Sequence, residues 1–174
     1  MRAFIAVPVP DPTGPASAPH ALEHLTLQFL GEIDADQIEP LERVLAPVAL
    51  ARPAFDVTVE GVDAFPSRIH PRVVWRGVSS GREELVQLAL DVHRATSAVG
   101  VPADPSRYVP HLTLFRVRSA ADSAEARALL DGRTSAPPPT RFQVAEVDLV
   151  ESRRHASGAE HRVLARFPLA TPSG

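Results

Sequence analysis

Two identical tetrapeptides, His24-Leu25-Thr26-Leu27 and His111-Leu112-Thr113-Leu114, stand in opposite halves of the 174-residue chain. With 7 histidines in all, fewer than one His-x-Thr triplet is expected by chance, so a matched pair with the same leucines calls for an explanation. In an extended strand alternate side chains share a face. Each motif therefore sets an imidazole beside a hydroxyl and sends its leucines the other way. Two such strands brought together place His24, Thr26, His111 and Thr113 around one substrate. The chemistry that uses this set is in-line displacement at a phosphodiester. A neutral imidazole takes a proton from water, an imidazolium protonates the leaving oxygen, and the hydroxyls bond the non-bridging oxygens. The two imidazoles must then have their pKa values pushed apart. The scheme requires no metal ion and no cofactor. The symmetry of the motifs leaves open which histidine is the acid.

The elements that must hold these motifs are legible from periodicity. Residues 2–7 read as a short buried strand, and Pro8, Pro10, Pro12, Pro15 and Pro19 exclude a regular helix or central strand up to about Ala21. The strand from Glu23 to Leu30 carries the first motif. Asp34 and Gln37 then form a capping-box-like start for a helix with Ile38, Leu41, Leu45 and Val48 at helical spacing. Residues 54–62 alternate with period two, and 72–78 form the next strand. Ser79 or Ser80 caps a helix bearing Leu85, Leu88, Val92 and Val99, which Gly100 ends. The second motif lies on a strand at 110–117. An Ala-rich helix at 120–130, a proline break at 136–139 and final strands at 141–151 and 161–169 complete the chain. The two halves have similar inventories. The expected fold is α+β and bilobal: two pseudo-twofold-related antiparallel sheets with flanking helices and a central cleft, in one domain over 1–174 with lobes at about 1–80 and 81–174.

Composition narrows the function classes. At 44% hydrophobic and 22% charged residues the chain is globular rather than disordered. No apolar run is long enough to span a bilayer, and the apolar stretch Ala3–Val7 is too short for a signal-peptide core, so a cytoplasmic monomer is expected. The absence of cysteine removes disulfides, thiolate nucleophiles and Cys-based zinc sites. A net charge of −3 argues against a general duplex-binding surface. All 18 basic residues are arginine, so any phosphate contact uses a planar fork of donors.

The sequence resembles the 2H phosphoesterases, specifically the bacterial RNA 2′,3′-cyclic phosphodiesterases, also called 2′-5′ RNA ligase-like proteins. The resemblance rests on Arg2-Ala-Phe-Ile-Ala-Val7, His24-Leu-Thr-Leu-Gln-Phe-Leu-Gly-Glu32, Pro71-Arg-Val-Val-Trp75, Pro110-His-Leu-Thr-Leu-Phe-Arg116, Leu149-Val-Glu-Ser152 and Val163–Leu169. It implies a bilobal fold and hydrolysis of a terminal 2′,3′-cyclic phosphate, on RNA ends or cyclic nucleotides, to a 2′-phosphate. It also implies His24 as proton donor, His111 as proton acceptor, and Arg116 as a phosphate-binding residue. Strict alternation from His111 puts Arg116 on the leucine face, so that role needs a β-bulge or the strand's end. Relatives have a longer, helix-containing segment where this chain has only its proline-rich stretch from Pro8 to about Leu22, which points to a more open site.

Weaker signals read as structural. His20 and His24 have metal-ligand spacing only on a helix, which the prolines deny. His70, His93, His155 and His161 read as solvated surface histidines, Arg153-Arg154 as a solvated turn, Phe4 and Tyr108 as core or rim packing, and Trp75 as a core anchor. The rival functions are a 2′-5′ RNA ligase or other cyclic phosphodiesterase, which keeps the site but changes the reaction, and a non-catalytic RNA-end binding module.

Overall fold

The computed structural model describes residues 1–10, 23–102, 108–155 and 158–171. Most of the proline-rich stretch, with His20, therefore lies outside the described residues. The strands are β1 (Arg2–Pro8), β2 (His24–Glu32), β3 (Phe55–Pro66), β4 (Pro71–Ser80), β5 (His111–Arg116), β6 (Thr140–Val144), β7 (Glu146–His155) and β8 (Gly158–Pro168). The helices are α1 (Ile38–Leu50), entered through a 3₁₀ turn at Ala35–Gln37, α2 (Arg82–Ala98) and α3 (Ala120–Leu130).

The α+β class holds, but the two sheets expected from the sequence are one. All eight strands form a single antiparallel sheet in the order β6-β3-β4-β5-β2-β1-β7-β8. The physical reason is a main-chain pairing between the two motif strands, where Leu25 lies opposite Leu112. The strands β3 and β4 join β5 and β6 on one side of this seam, while β7 and β8 return to flank β1 on the other.

The single strand expected at 141–151 is two. The strands β6 and β7 are separated by Ala145 alone, yet occupy the first and seventh places in the sheet. In a flat sheet six interstrand steps span about 29 Å, whereas Val144 and Glu146 stand at most about 7 Å apart along the chain. The sheet must therefore curl until its two ends approach each other. The closure is stitched where Leu169 N–H donates to Ala145 O (2.9 Å), Ala170 N–H to Arg52 O (2.8 Å) and Ala54 N–H to Ala170 O (2.8 Å).

One face of the curled sheet packs on α1 and α2. Ile5, Val7, Leu25, Leu27, Val57, Val59, Leu112, Leu149 and Phe167 meet Leu41, Leu45, Leu85, Leu88 and Val92 in one core. Asp34 N–H donates to Gln37 Oε1 at 2.8 Å, as the predicted box requires, and Pro40 occupies the first turn, where its missing N–H has no partner to lose. The predicted serine cap of α2 is replaced by Gly81 at φ 74°. A Cβ on Gly81 would come within 2.3 Å of Asp56 O, and Ser80 instead stays in β4, bonded to Thr58 Oγ1 at 2.8 Å. Among the described residues no helix is long and apolar enough to cross a membrane.

Candidate active site

The seam between β2 and β5 is where the repeated motifs meet. With Leu25 opposite Leu112 in antiparallel register, the motifs run past each other so that His24 lies toward Thr113 and Thr26 toward His111. Leu25 and Leu112 enter the core at 0% and 3% exposure. The imidazoles and hydroxyls therefore stand on the opposite face, away from the helices. This is the expected juxtaposition of His24, Thr26, His111 and Thr113, produced by one residue pair.

A bulge supplies the turn that Arg116 needs. On β4 and β5, Trp75 pairs with Thr113, Val74 with Phe115 and Val73 with Arg116, so Leu114 is the extra residue. Cross-strand partners share a face. Val73 and Trp75 lie two apart on β4, which puts Arg116 on the face of His111 and Thr113, where uninterrupted alternation forbids it. β2 uses the same device. Ala6 pairs with Thr26 and Ile5 with Gln28, leaving Leu27 extra and turning Phe29 onto the histidine face, where it is 66% exposed. The Leu27 carbonyl accepts a hydrogen bond from His93 Nε2 of α2 at 3.0 Å. His93 is thus buried at 7% exposure rather than solvated, because the bulge needs a donor beneath it.

The two imidazoles have different surroundings. His111 packs edge-on against Phe65 and Trp75, with ring centroids 5.0 and 5.7 Å away. Trp75 is half-buried on this face and stacked on Phe65 at 4.7 Å, not a core anchor, since Val74 takes the inward position of β4. The Nδ1–H of His111 donates to Val109 O at 2.7 Å, which leaves Nε2 as the acceptor of the neutral ring. Burial pushes the His111 pKa below the ordinary imidazole value, opposed by the Val109 carbonyl and aided by the Arg116 guanidinium. His111 is therefore uncharged at neutral pH. His24 packs against Phe4 at 4.7 Å and edge-on against His161 at 5.1 Å. His161, read from the sequence as a solvated surface histidine, is instead a half-buried residue of β8, while Phe4 is the packed ring the sequence suggested, buried beside His24.

The model of the 2'-5' RNA ligase superfamily matches residues 12–156. The chain belongs to that superfamily. An RNA 2',3'-cyclic phosphodiesterase of Archaeoglobus fulgidus is 34% identical over 133 residues, covering 68% of this chain and 73% of the relative. One of Aquifex aeolicus is 36% identical over 97 residues, covering 55% and 52%. The chain spans about half the length of the first curated relatives it matches. The crystal structure of Escherichia coli LigT complexed with 3'-AMP superposes with a TM-score of 0.70 at 25% identity, over 97% of each chain. Membership in the 2'-5' RNA ligase superfamily thus agrees with the fold and with the two motifs.

Sequence reasoning does not single out Asp148 and reads His161 as a surface residue, yet both share a small cavity with His24. A signal existed in the lone charge of the apolar run Val147-Asp148-Leu149-Val150. The bulge yields a direct expectation for Arg116. If this face turns over a phosphodiester, Arg116→Ala is expected to lower kcat/KM by about 10- to 100-fold, the loss of one charge-assisted contact. Arg116→Lys is expected to restore only part of it, because the planar fork is gone. Steady-state kinetics on both variants checks this.

Proposed function

We propose that this protein hydrolyses the 2′,3′-cyclic phosphate of RNA ends or nucleotides to a 2′-phosphate, using its two histidines as acid and base and no metal ion. The observation that carries the reading is the seating of both His-x-Thr pairs on one face of adjoining strands, in unlike environments. The names of the superfamily relatives support the choice of substrate. In this reading a local twofold through the Leu25–Leu112 pair relates the two halves of the sheet around a cleft. The matching bulges at Leu27 and Leu114 support that symmetry.

Neutral His111 is the base and protonated His24 the acid. Water attacks phosphorus in line with the 3′ oxygen and gives its proton to His111 Nε2. The P–O3′ bond breaks, and His24 delivers a proton to the departing 3′ oxygen, leaving the phosphate on the 2′ oxygen. Thr26, Thr113 and Arg116 bind the non-bridging oxygens, where negative charge is held through the displacement.

Phosphorus NMR of a nucleoside 2′,3′-cyclic phosphate, incubated with the protein in excess EDTA, tests the reading. The expected result is conversion of the cyclic resonance to that of the 2′-phosphate over many turnovers. Persistence of the cyclic phosphate, both in the nucleotide and at an RNA end, overturns it. A 3′-phosphate product overturns the assigned bond cleavage.

A further inference from the structure

A buried carboxylate stands near His24 and has no part in the two-histidine scheme. On β1, Ala6 pairs with Thr26 on one side and with Asp148 of β7 on the other, so the three form one row across the catalytic face. The methyl group of Ala6 leaves the space above β1 open. A cavity of about 10 Å³ lies there, lined by His24, Asp148 and His161 among Phe4, Ala6 and Val150. The Asp148 side chain is only 4% exposed, and its nearest cation in an ion pair is Arg166 Nε at 3.9 Å. Among the described residues its Oδ1 accepts no hydrogen bond. The His161 ring packs at 5.1 Å against both His24 and Phe4.

The other half of the sheet has the same row with the opposite outcome. Asp63 pairs with Trp75, and Trp75 with Thr113. There an indole, not a methyl group, occupies the middle strand. Asp63 is turned to solvent at 47% exposure and lies 3.6 Å from Arg68 Nη1. The two rows therefore differ in whether a carboxylate is buried facing the histidine's side of the sheet.

We propose that Asp148 is a positioning residue that holds His24 as imidazolium across the shared cavity and so makes His24, rather than His111, the acid of the pair. The inference rests on the two-histidine reading above. An anion in a poorly solvated cavity favours the charged form of a nearby imidazole. Burial, with Glu146 adding to it and Arg166 opposing, pushes the Asp148 carboxyl up to about 6, so it is ionised at neutral pH. Burial pushes His161 below the ordinary imidazole value, so it remains an uncharged neighbour. Among the described residues, the other charged or titratable groups on the elements flanking His24 are Glu23 before it on the chain, Glu146 and Arg154 toward the two ends of β7, His161 and Arg166 on β8, and His111 and Arg116 on β5. The residues of β1 beside it, Phe4, Ala6 and Pro8, carry no charge.

The test combines the pH profile of kcat/KM with ¹⁵N imidazole titration of the full chain, the His24 signal being assigned by its loss in His24→Gln. In Asp148→Asn the His24 titration and the alkaline limb of the profile are expected to move to lower pH by about one unit, while the acid limb from His111 stays in place. Arg166→Gln, which removes the cation opposing Asp148, is expected to move both the other way. An unmoved His24 titration in these variants overturns the proposal, as does a uniform loss of rate at every pH with the limbs in place. If Asp148→Asn does not fold, Asp148→Ser, a smaller uncharged side chain in the same cavity, decides in its place. The imidazole titration needs no turnover, so a failure of the cyclic phosphodiesterase reading is seen separately from a failure of Asp148.

Discussion

His111→Ala and His24→Ala are each expected to lower kcat/KM for a 2′,3′-cyclic phosphate by about 10²- to 10⁴-fold, the usual worth of a general base or acid. The pair acts as a unit on one displacement, so the double variant is expected to be little worse than either single one. Steady-state kinetics on the three variants checks this, with thermal unfolding as the control for structure. The substitutions remove rings that pack on Phe65 and Trp75 or on Phe4 and His161 at the sheet surface. They leave the leucines beneath untouched. A variant that melts like the parent and turns over at near the parental rate removes the histidines from the mechanism.

The second large effect is on stability. Leu25→Ala is expected to cost about 2–5 kcal/mol, the range for a fully buried leucine whose cavity is only partly refilled. Leu25 has 0% exposure and lies opposite Leu112 at the pairing that joins the motif strands. Loss of its side chain therefore loosens the same seam that brings the two imidazoles together. Leu50→Ala is the contrast. At 65% exposure on the last residue of α1, it is expected to change stability by no more than about 0.5 kcal/mol. Equilibrium denaturation of the three proteins checks both values, and equal midpoints for Leu25→Ala and the parent contradict the seam.

The elements and the motif residues were legible in the sequence because both depend on local periodicity. The helix at 120–130 and the alternating strands around His24 and His111 follow from spacing alone. What spacing cannot carry is an interruption of spacing. The bulge at Leu114 depends on how β5 registers against β4, so strict alternation placed Arg116 on the wrong face. The bulge at Leu27 likewise hid the reason for burying His93. Long-range order is the other omission. The similar inventories of the two halves suggested two separate sheets, whereas the chain crosses the β2–β5 seam twice, between β2 and β3 and again at Ala145, so that strands of the two halves interleave. The environment of His24 was out of reach for the same reason, since Asp148 and His161 arrive from strands far along the chain.

That interleaving governs how the molecule can assemble. The strand β1 is a central strand, and its second neighbour is β7, with Ile5 opposite Leu149 far along the sequence. During synthesis one edge of β1 stays unpaired until β7 has emerged. Loop-closure entropy for so distant a pairing is met before its contacts form, which makes folding slow and leaves an exposed edge open to wrong partners. The surroundings of His24 are completed by the same late strands. A growing chain can thus hold both His-x-Thr motifs while still lacking the walls around one of them, and the proposed site is complete only once the β7–β8 hairpin docks.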